Sequence, residues 1–412
     1  MRLQLTAVAW AVAMVGASSL ALAEEPISGT EARTDFLFYS DSDSVLVFSP
    51  QVSVAHGFDD EGSAVSARYT VDAITAASVD VVSSASYRFS EVRHEVNLAA
   101  AKAMGRWLPG ASYRYSHEPD YVSHAAAITG QVELGTPDSV AAGRYELTLD
   151  RIGRTGTPAD VFSERLVIHS GELSLTQTLG RNTLVRGVYS LVAANGYMEK
   201  PYRSVPLFAM GTEAALAGQG VELGLGNFDQ FRLPERPSEQ VPDQRYRHAL
   251  AVRGLRFLRR IDSSVRLDYR LYTDSWGMWA HTVEAGWAKQ LSSRWLLSGW
   301  TRFHLQTSSD FWRRTYEVES GQIPSLRTAD RSLSGMWQSY SAVRGEFAAT
   351  SVHAYLEVAG MYSRYLEFLY LDQRTALIVQ GGDDGRSEAT VHRRGRGRRA
   401  RGGLSVRPTA AR

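Results

Sequence analysis

The stretch Ser264–Thr273, SVRLDYRLYT, sets Val265, Leu267, Tyr269 and Leu271 against Arg266, Asp268, Arg270 and Tyr272. Side chains of an extended chain point alternately to its two faces, so this is a strand with one oily and one charged surface. The pattern recurs. Tyr145, Leu147 and Leu149 oppose Arg144, Glu146, Thr148 and Asp150, and Val65, Ala67, Tyr69 and Val71 oppose Ser66, Arg68, Thr70 and Asp72. Sixteen such segments are predicted: 33–40, 44–57, 63–74, 90–103, 111–118, 122–135, 140–151, 164–179, 183–197, 246–258, 262–274, 278–291, 294–307, 334–348, 351–364 and 374–380.

The connections between them sort by length. Asp59–Gly62, Thr136–Ser139, Gly180–Asn182, Arg259-Arg260, Ser292-Ser293 and Ala349-Thr350 are tight turns, with Gly105–Gly110 slightly longer. Gly, Asp, Asn, Pro and Ser give short hairpins the backbone angles they need. Alternating with these are mostly longer connections at 75–89, 152–163, 198–245, 308–333 and 365–373. A soluble sandwich has no reason to sort its loops, whereas a membrane barrel has short periplasmic turns and long extracellular loops. The expected fold is therefore all-β, a transmembrane antiparallel up-and-down barrel of about sixteen strands (14–16), spanning residues 24–380. Trp107, Trp276, Trp279, Trp295 and Trp337, near strand ends, are candidates for the aromatic girdles.

Composition agrees without deciding. A hydrophobic content of 44% suits a barrel whose polar lumen dilutes its apolar face. No apolar run after residue 23 is long enough for a membrane helix. Cysteine is absent, which removes disulfides, thiolate metal sites and thiol nucleophiles. Residues 1–23, with Arg2, an apolar run and Ala21-Leu22-Ala23, are expected to be a signal peptide for export.

Residues 381–412 hold nine arginines, no aromatic residue and no alternation. Three readings stand: a polybasic arm, disorder, or a tail from a shifted reading frame that truncates the closing strand after Gln380. The chain's many arginines and only three lysines, which suit a GC-rich gene, favour the last. Without this segment the body is mildly acidic, so no nucleic-acid partner is expected.

The longest loop, 198–245, contains Arg203, Glu235, Arg236, Asp243 and Arg245, and Arg247 follows. It is expected either to fold into the pore as a charge filter or to form an extracellular cap held by Arg–carboxylate pairs. Arg266, Asp268 and Arg270 are candidate lumen charges. Loop 73–90, with small residues and Asp80, reads either as packed inward or as a strand continuing above the membrane. No histidine spacing suggests a metal site, and no cofactor is expected. His117, Asp120 and His124, with Ser116 or Ser123, are the one local constellation a hydrolase could use, if they converge in space.

Several segments resemble an uncharacterised family of bacterial proteins expected to be outer-membrane barrels. They are Tyr69–Asp80, Glu91-Val92-Arg93, Lys200–Pro206, Pro234-Glu235-Arg236, Arg245–Ala249 and Asp372–Leu377. The resemblance covers about residues 33–380 and implies an outer-membrane location but no activity, substrate or catalytic residue. It also implies a terminal amphipathic strand ending on an aromatic residue, which this chain lacks. The leading expectation is a passive pore or solute channel. Expected partners are outer-membrane lipid, the barrel-assembly machinery and small solutes or ions. A non-conducting structural barrel and an outer-membrane hydrolase are the alternatives.

Overall fold

The computed structural model describes residues 27, 29–76, 89–135, 138–224, 226–319, 321–349, 352–369 and 371–386. The expected signal peptide, most of loop 73–90 with Asp80, and the tail from residue 387 lie outside these.

Sixteen strands form one closed barrel. In chain order they begin β1 (Gly29–Asp41), β2 (Leu46–Gly57), β3 (Ala64–Ala76), β4 (Phe89–Ala101), β5 (Trp107–Glu118), β6 (Tyr121–Glu133), β7 (Ser139–Ile152), β8 (Glu164–Thr178) and β9 (Thr183–Gly196). After the short loop strand β10 (Leu207–Ala209) come β11 (Gln244–Leu258), β12 (Ser263–Asp274), β13 (Trp279–Gln290) and β14 (Trp295–Gln306). A second loop strand, β15 (Tyr316–Val318), precedes β16 (Met336–Ala348), β17 (His353–Tyr365) and β18 (Gln373–Arg386). Every barrel strand pairs with its chain neighbour, and β1 pairs with β18 to close the ring. All sixteen predicted strands are present.

The strand ends joined by the predicted tight turns lie on the rim where β1 begins and β18 ends, and those joined by the longer connections lie on the opposite rim. The turn before β3 shows how short links are made. Asp59 Oδ1 accepts from the backbone N–H of Glu61 and of Ser63, each at 2.9 Å. Gly62 takes the left-handed φ of 106° that a side chain would resist.

The outward face is apolar and exposed. Leu267, Tyr269, Val252 and Leu250 are each 43–60% accessible on one patch of β11 and β12, and similar residues continue around the ring. A belt of this kind is covered by hydrocarbon in a membrane barrel. Within it, five hydrogen bonds repeat one geometry: Tyr69–His94, Tyr113–His124, Tyr145–His169, Tyr189–His248 and Tyr269–His281, with hydroxyl to Nδ1 distances of 2.7–2.8 Å. In each, the histidine lies two residues before the position directly opposite the tyrosine. The five pairs all join strands linked at the loop rim, whether by a long loop or by a short link such as Pro119-Asp120 between β5 and β6. Lipid offers no partner to a polar atom, so each side chain satisfies the other.

The closing strand corrects the sequence reading. β18 does not stop at Gln380. It continues to Arg386, with residues 381–386 paired to Glu31–Phe36 of β1. Gly381 and Gly382 have poor strand propensity, which is why the sequence reads as an end there. Their neighbours supply what they lack: a Cβ on Gly381 would meet the Phe36 ring at 2.6 Å, and one on Gly382 the Tyr355 ring at 2.8 Å. Aromatic rings covering glycines, with pairing on both sides, hold the segment as a strand.

Candidate functional site

The inner wall carries the chemistry that alternation placed there. Arg266 contacts Asp268 at 3.1 Å and pairs with Glu284; Arg253 meets Asp268 at 2.6 Å and Arg302 meets Glu284 at 2.6 Å. These five residues run across β11 to β14 as one ladder of alternating charge. Arg270 lies on the same face, its guanidinium 5.8 Å from the Tyr272 ring. Barrels of about sixteen strands generally have room for water between their walls.

One sector of the wall differs. Across the closing seam, inward Tyr39, Val47, Ile74, Tyr340, Met361 and Ile378 form a buried apolar cluster. The wall therefore carries an apolar patch as well as charge, and charged pairs such as Arg344–Glu346 at 3.0 Å on β16 and Arg93–Asp72 across β3 and β4 flank the patch.

The loop rim is covered by folded chain. The long loop after β9 carries β10, and the loop after β14 carries β15; the two strands pair in parallel. Helices α1 (Thr212–Gly218) and α2 (Phe228–Phe231) complete the first loop. Phe208, Leu216, Leu223 and Phe228 bury against Leu369, while Val241, Trp276, Met278, Trp312 and Leu333 form a second dry cluster. Trp276, expected in an aromatic girdle, is instead beneath this cap and only 5% exposed. The reason is local: its backbone N–H and that of Met278 both bond Asp274 Oδ1 at 3.0 Å, which turns the link inward.

A chain of polar contacts runs through the cap. The Tyr202 hydroxyl donates to Asp120, in the link after β5. Its neighbour Arg203 meets Glu239 at 3.1 Å and Asp330 at 2.6 Å. The residue after Asp330, Arg331, pairs with Asp43 in the link after β1 and reaches the Leu371 carbonyl at 3.2 Å. The side-chain contacts join the links after the first, fifth, ninth and thirteenth strands of the ring, a quarter-turn apart, and the Leu371 carbonyl adds the link after the fifteenth. A tie among all four quarters lies across the mouth.

Burial works against the Asp330 carboxylate, but Arg203 and Lys200 outweigh it and hold its carboxyl well below the usual range. Burial pushes the Tyr202 phenol up, as does its bond to Asp120, so it stays a donor. Burial also pushes the Glu199 carboxyl up. Beside the cap, Trp276, Phe311, Tyr316, Asp310, Arg313 and Glu317 line an open cleft of about 700 Å³.

The candidate residues divide among these places. Arg203 is in the tie. Arg245 packs at the rim, with Nε 2.9 Å from Asp274 and its guanidinium 4.1 Å from the Trp276 ring. Arg247 faces inward just below. Arg266, Asp268 and Arg270 line the wall. Glu235, Arg236 and Asp243 are exposed, and Arg236 meets only the exposed Asp229, at 3.4 Å, among the contacts described. Those three do not join the tie.

The hydrolase constellation is not assembled. His117 and His124 face outward, whereas Ser116 and Ser123 are buried on the inner face, and Asp120 holds Tyr202. The sequence reading missed Glu239, Asp330, Arg331 and Asp43. Their partners are far away in sequence and sit in loops, where no periodicity marks them.

Fold and wall together define a sixteen-stranded transmembrane β-barrel of the outer-membrane type, with a charged lumen and a folded cap. Residues 151–344 match the model of the family described as "Protein of unknown function (DUF3570)", which bears out the resemblance seen in the sequence. No curated protein sequence matches the chain. Among solved structures it is similar to a bacterial polysaccharide outer membrane secretin, at 7% identity over 88% of this chain and 99% of that one, with TM-score 0.49. CdiB from Acinetobacter baumannii is 8% identical over 86% of this chain and 60% of that one, with TM-score 0.48. A loop L8 deletion mutant of OmpT, an outer membrane protein of Vibrio cholerae, is 9% identical over 86% and 97%, with TM-score 0.40.

Proposed function

We propose that the protein is an outer-membrane channel for small hydrophilic solutes or ions, narrowed at its outer mouth by the two interlocked loops. The observation that carries this reading is the ladder Arg253–Asp268–Arg266–Glu284–Arg302 on the inner wall. A wall of paired charges is costly against a dry interior and natural against water. Transport is then diffusion past wall charges, with the cap deciding what enters. Outer-membrane lipid covers the outward face, the barrel-assembly machinery inserts the chain, and residues 1–23 direct export. No cofactor or catalytic residue is assigned.

Ion selectivity in planar bilayers tests the wall's part. Arg266→Glu with Arg270→Glu should shift preference toward cations by several-fold; unchanged selectivity removes the ladder from the pathway.

A second reading is favoured by the apolar sector around Tyr39, Tyr340 and Met361 together with the tied mouth. On that reading the barrel does not conduct and serves as an envelope scaffold.

A further inference from the structure

Beneath the cap, at the loop end of the wall, three acidic side chains converge. Glu91 is near the start of β4, Glu118 ends β5, and Asp120 is in the link that follows. One carboxylate oxygen of each lies within 4.8 Å of the others. All are sealed from solvent, at 3%, 3% and 7% exposure.

Proximity of carboxylates alone does not make a site. The second observation is Glu118 Oε2, which is inaccessible to solvent and has no hydrogen-bond partner. A buried carboxylate oxygen without a donor calls for a ligand. The nearby arginine does not fill the role, because Arg93 is bound to Asp72, with Nε 2.6 Å from Oδ2. Asp120 differs from Glu118 in being tethered, since Tyr202 and Thr155 donate to its Oδ2, the latter at 3.2 Å.

We propose that Glu91, Glu118 and Asp120 bind a hard divalent cation, calcium above all. Calcium takes oxygen ligands at 2.3–2.6 Å, so ligands on opposite sides of one ion lie about 4.6–5.2 Å apart and adjacent ones closer. Oxygens within 4.8 Å of one another fit around a single ion. An all-carboxylate set excludes the soft and imidazole-preferring metals. Magnesium fits less well, because it demands near-ideal octahedral geometry and retains its waters. Three anions around one dication also explain how like charges are tolerated side by side in a buried place.

The site has a mechanical consequence. Asp120 receives the Tyr202 hydroxyl, and Tyr202 precedes Arg203 of the tie. An ion that fixes Asp120 therefore fixes the anchor of the long loop. This holds whether or not the barrel conducts, and its test involves no current.

The experiment titrates calcium into metal-stripped, refolded barrel in detergent free of lipopolysaccharide, by calorimetry. One ion per chain is expected, with affinity at least tenfold weaker in Glu118→Gln and in Asp120→Asn, and unchanged in Glu61→Gln at the opposite rim. Heat-modifiable migration confirms that each variant is folded. Tyr202→Phe should keep calcium binding yet lose calcium-dependent protection of the long loop from trypsin. Absence of saturable binding by wild-type barrel, undiminished affinity in both cluster variants, or tighter magnesium than calcium binding overturns the assignment.

Discussion

The Tyr269 hydroxyl lies 2.8 Å from His281 Nδ1 on the outward face, joining β12 to β13. Four other strand pairs repeat the bond in the same diagonal register. All five bonds tie strands joined at the loop rim, at the opposite end of the barrel from the predicted tight turns. Replacing Tyr189 and Tyr269 with Phe leaves two histidines facing hydrocarbon without that partner. Each substitution should cost about 0.5–1.5 kcal/mol, measured as urea unfolding in lipid vesicles, and the two losses should add because the pairs are separate.

The two faces of β12 should respond oppositely to charge. Leu267 is 60% exposed toward lipid, so Leu267→Arg should destabilise by about 2–4 kcal/mol near the bilayer midplane. Asp268→Asn keeps its lumen position and should change stability less, while releasing Arg253 and Arg266. Equal costs at the two positions would contradict the assignment of faces.

The cap should resist mild acid. With its pKa depressed by Arg203 and Lys200 despite burial, Asp330 contributes stability that is fully present above the usual carboxylate range. That contribution is lost only as pH falls through the lower folded value. Glu199, raised by burial, acts in the opposite sense, because its proton is held more tightly in the folded cap. Fluorescence of the buried Trp276 and Trp312 should therefore stay constant from pH 7 to 5 and change only below about pH 4. Asp330→Asn removes one charged partner of Arg203 and should weaken docking by about 1.5–3 kcal/mol.

The closing seam gives a further expectation. Ending the chain at Gln380 removes the partners of Glu31–Phe36 on β1. The shortened protein should lose the fast-migrating folded band in unheated gels, and the chain ending at Arg386 should keep it.

What the sequence made legible follows from periodicity. Arg266 and Asp268 were assigned to the lumen by alternation alone, and the sorting of tight turns from loops put all sixteen strands in order. Gly381-Gly382 was misread because propensity is local, whereas the Phe36 and Tyr355 rings that cover them come from β1 and β17. The tie was not legible either. Arg331 and Asp43 are 288 residues apart, and loop residues carry no repeat to flag a partner. Each Tyr–His bond was invisible for the same reason, since only pairing brings the two together.

The most direct test of a capped, water-filled channel is single-channel current through folded wild-type protein in a planar bilayer, compared with Arg203→Ala/Asp330→Ala. Stepwise currents that grow when the tie is cut are predicted. Folded protein that carries no current with the tie either intact or cut would contradict the account.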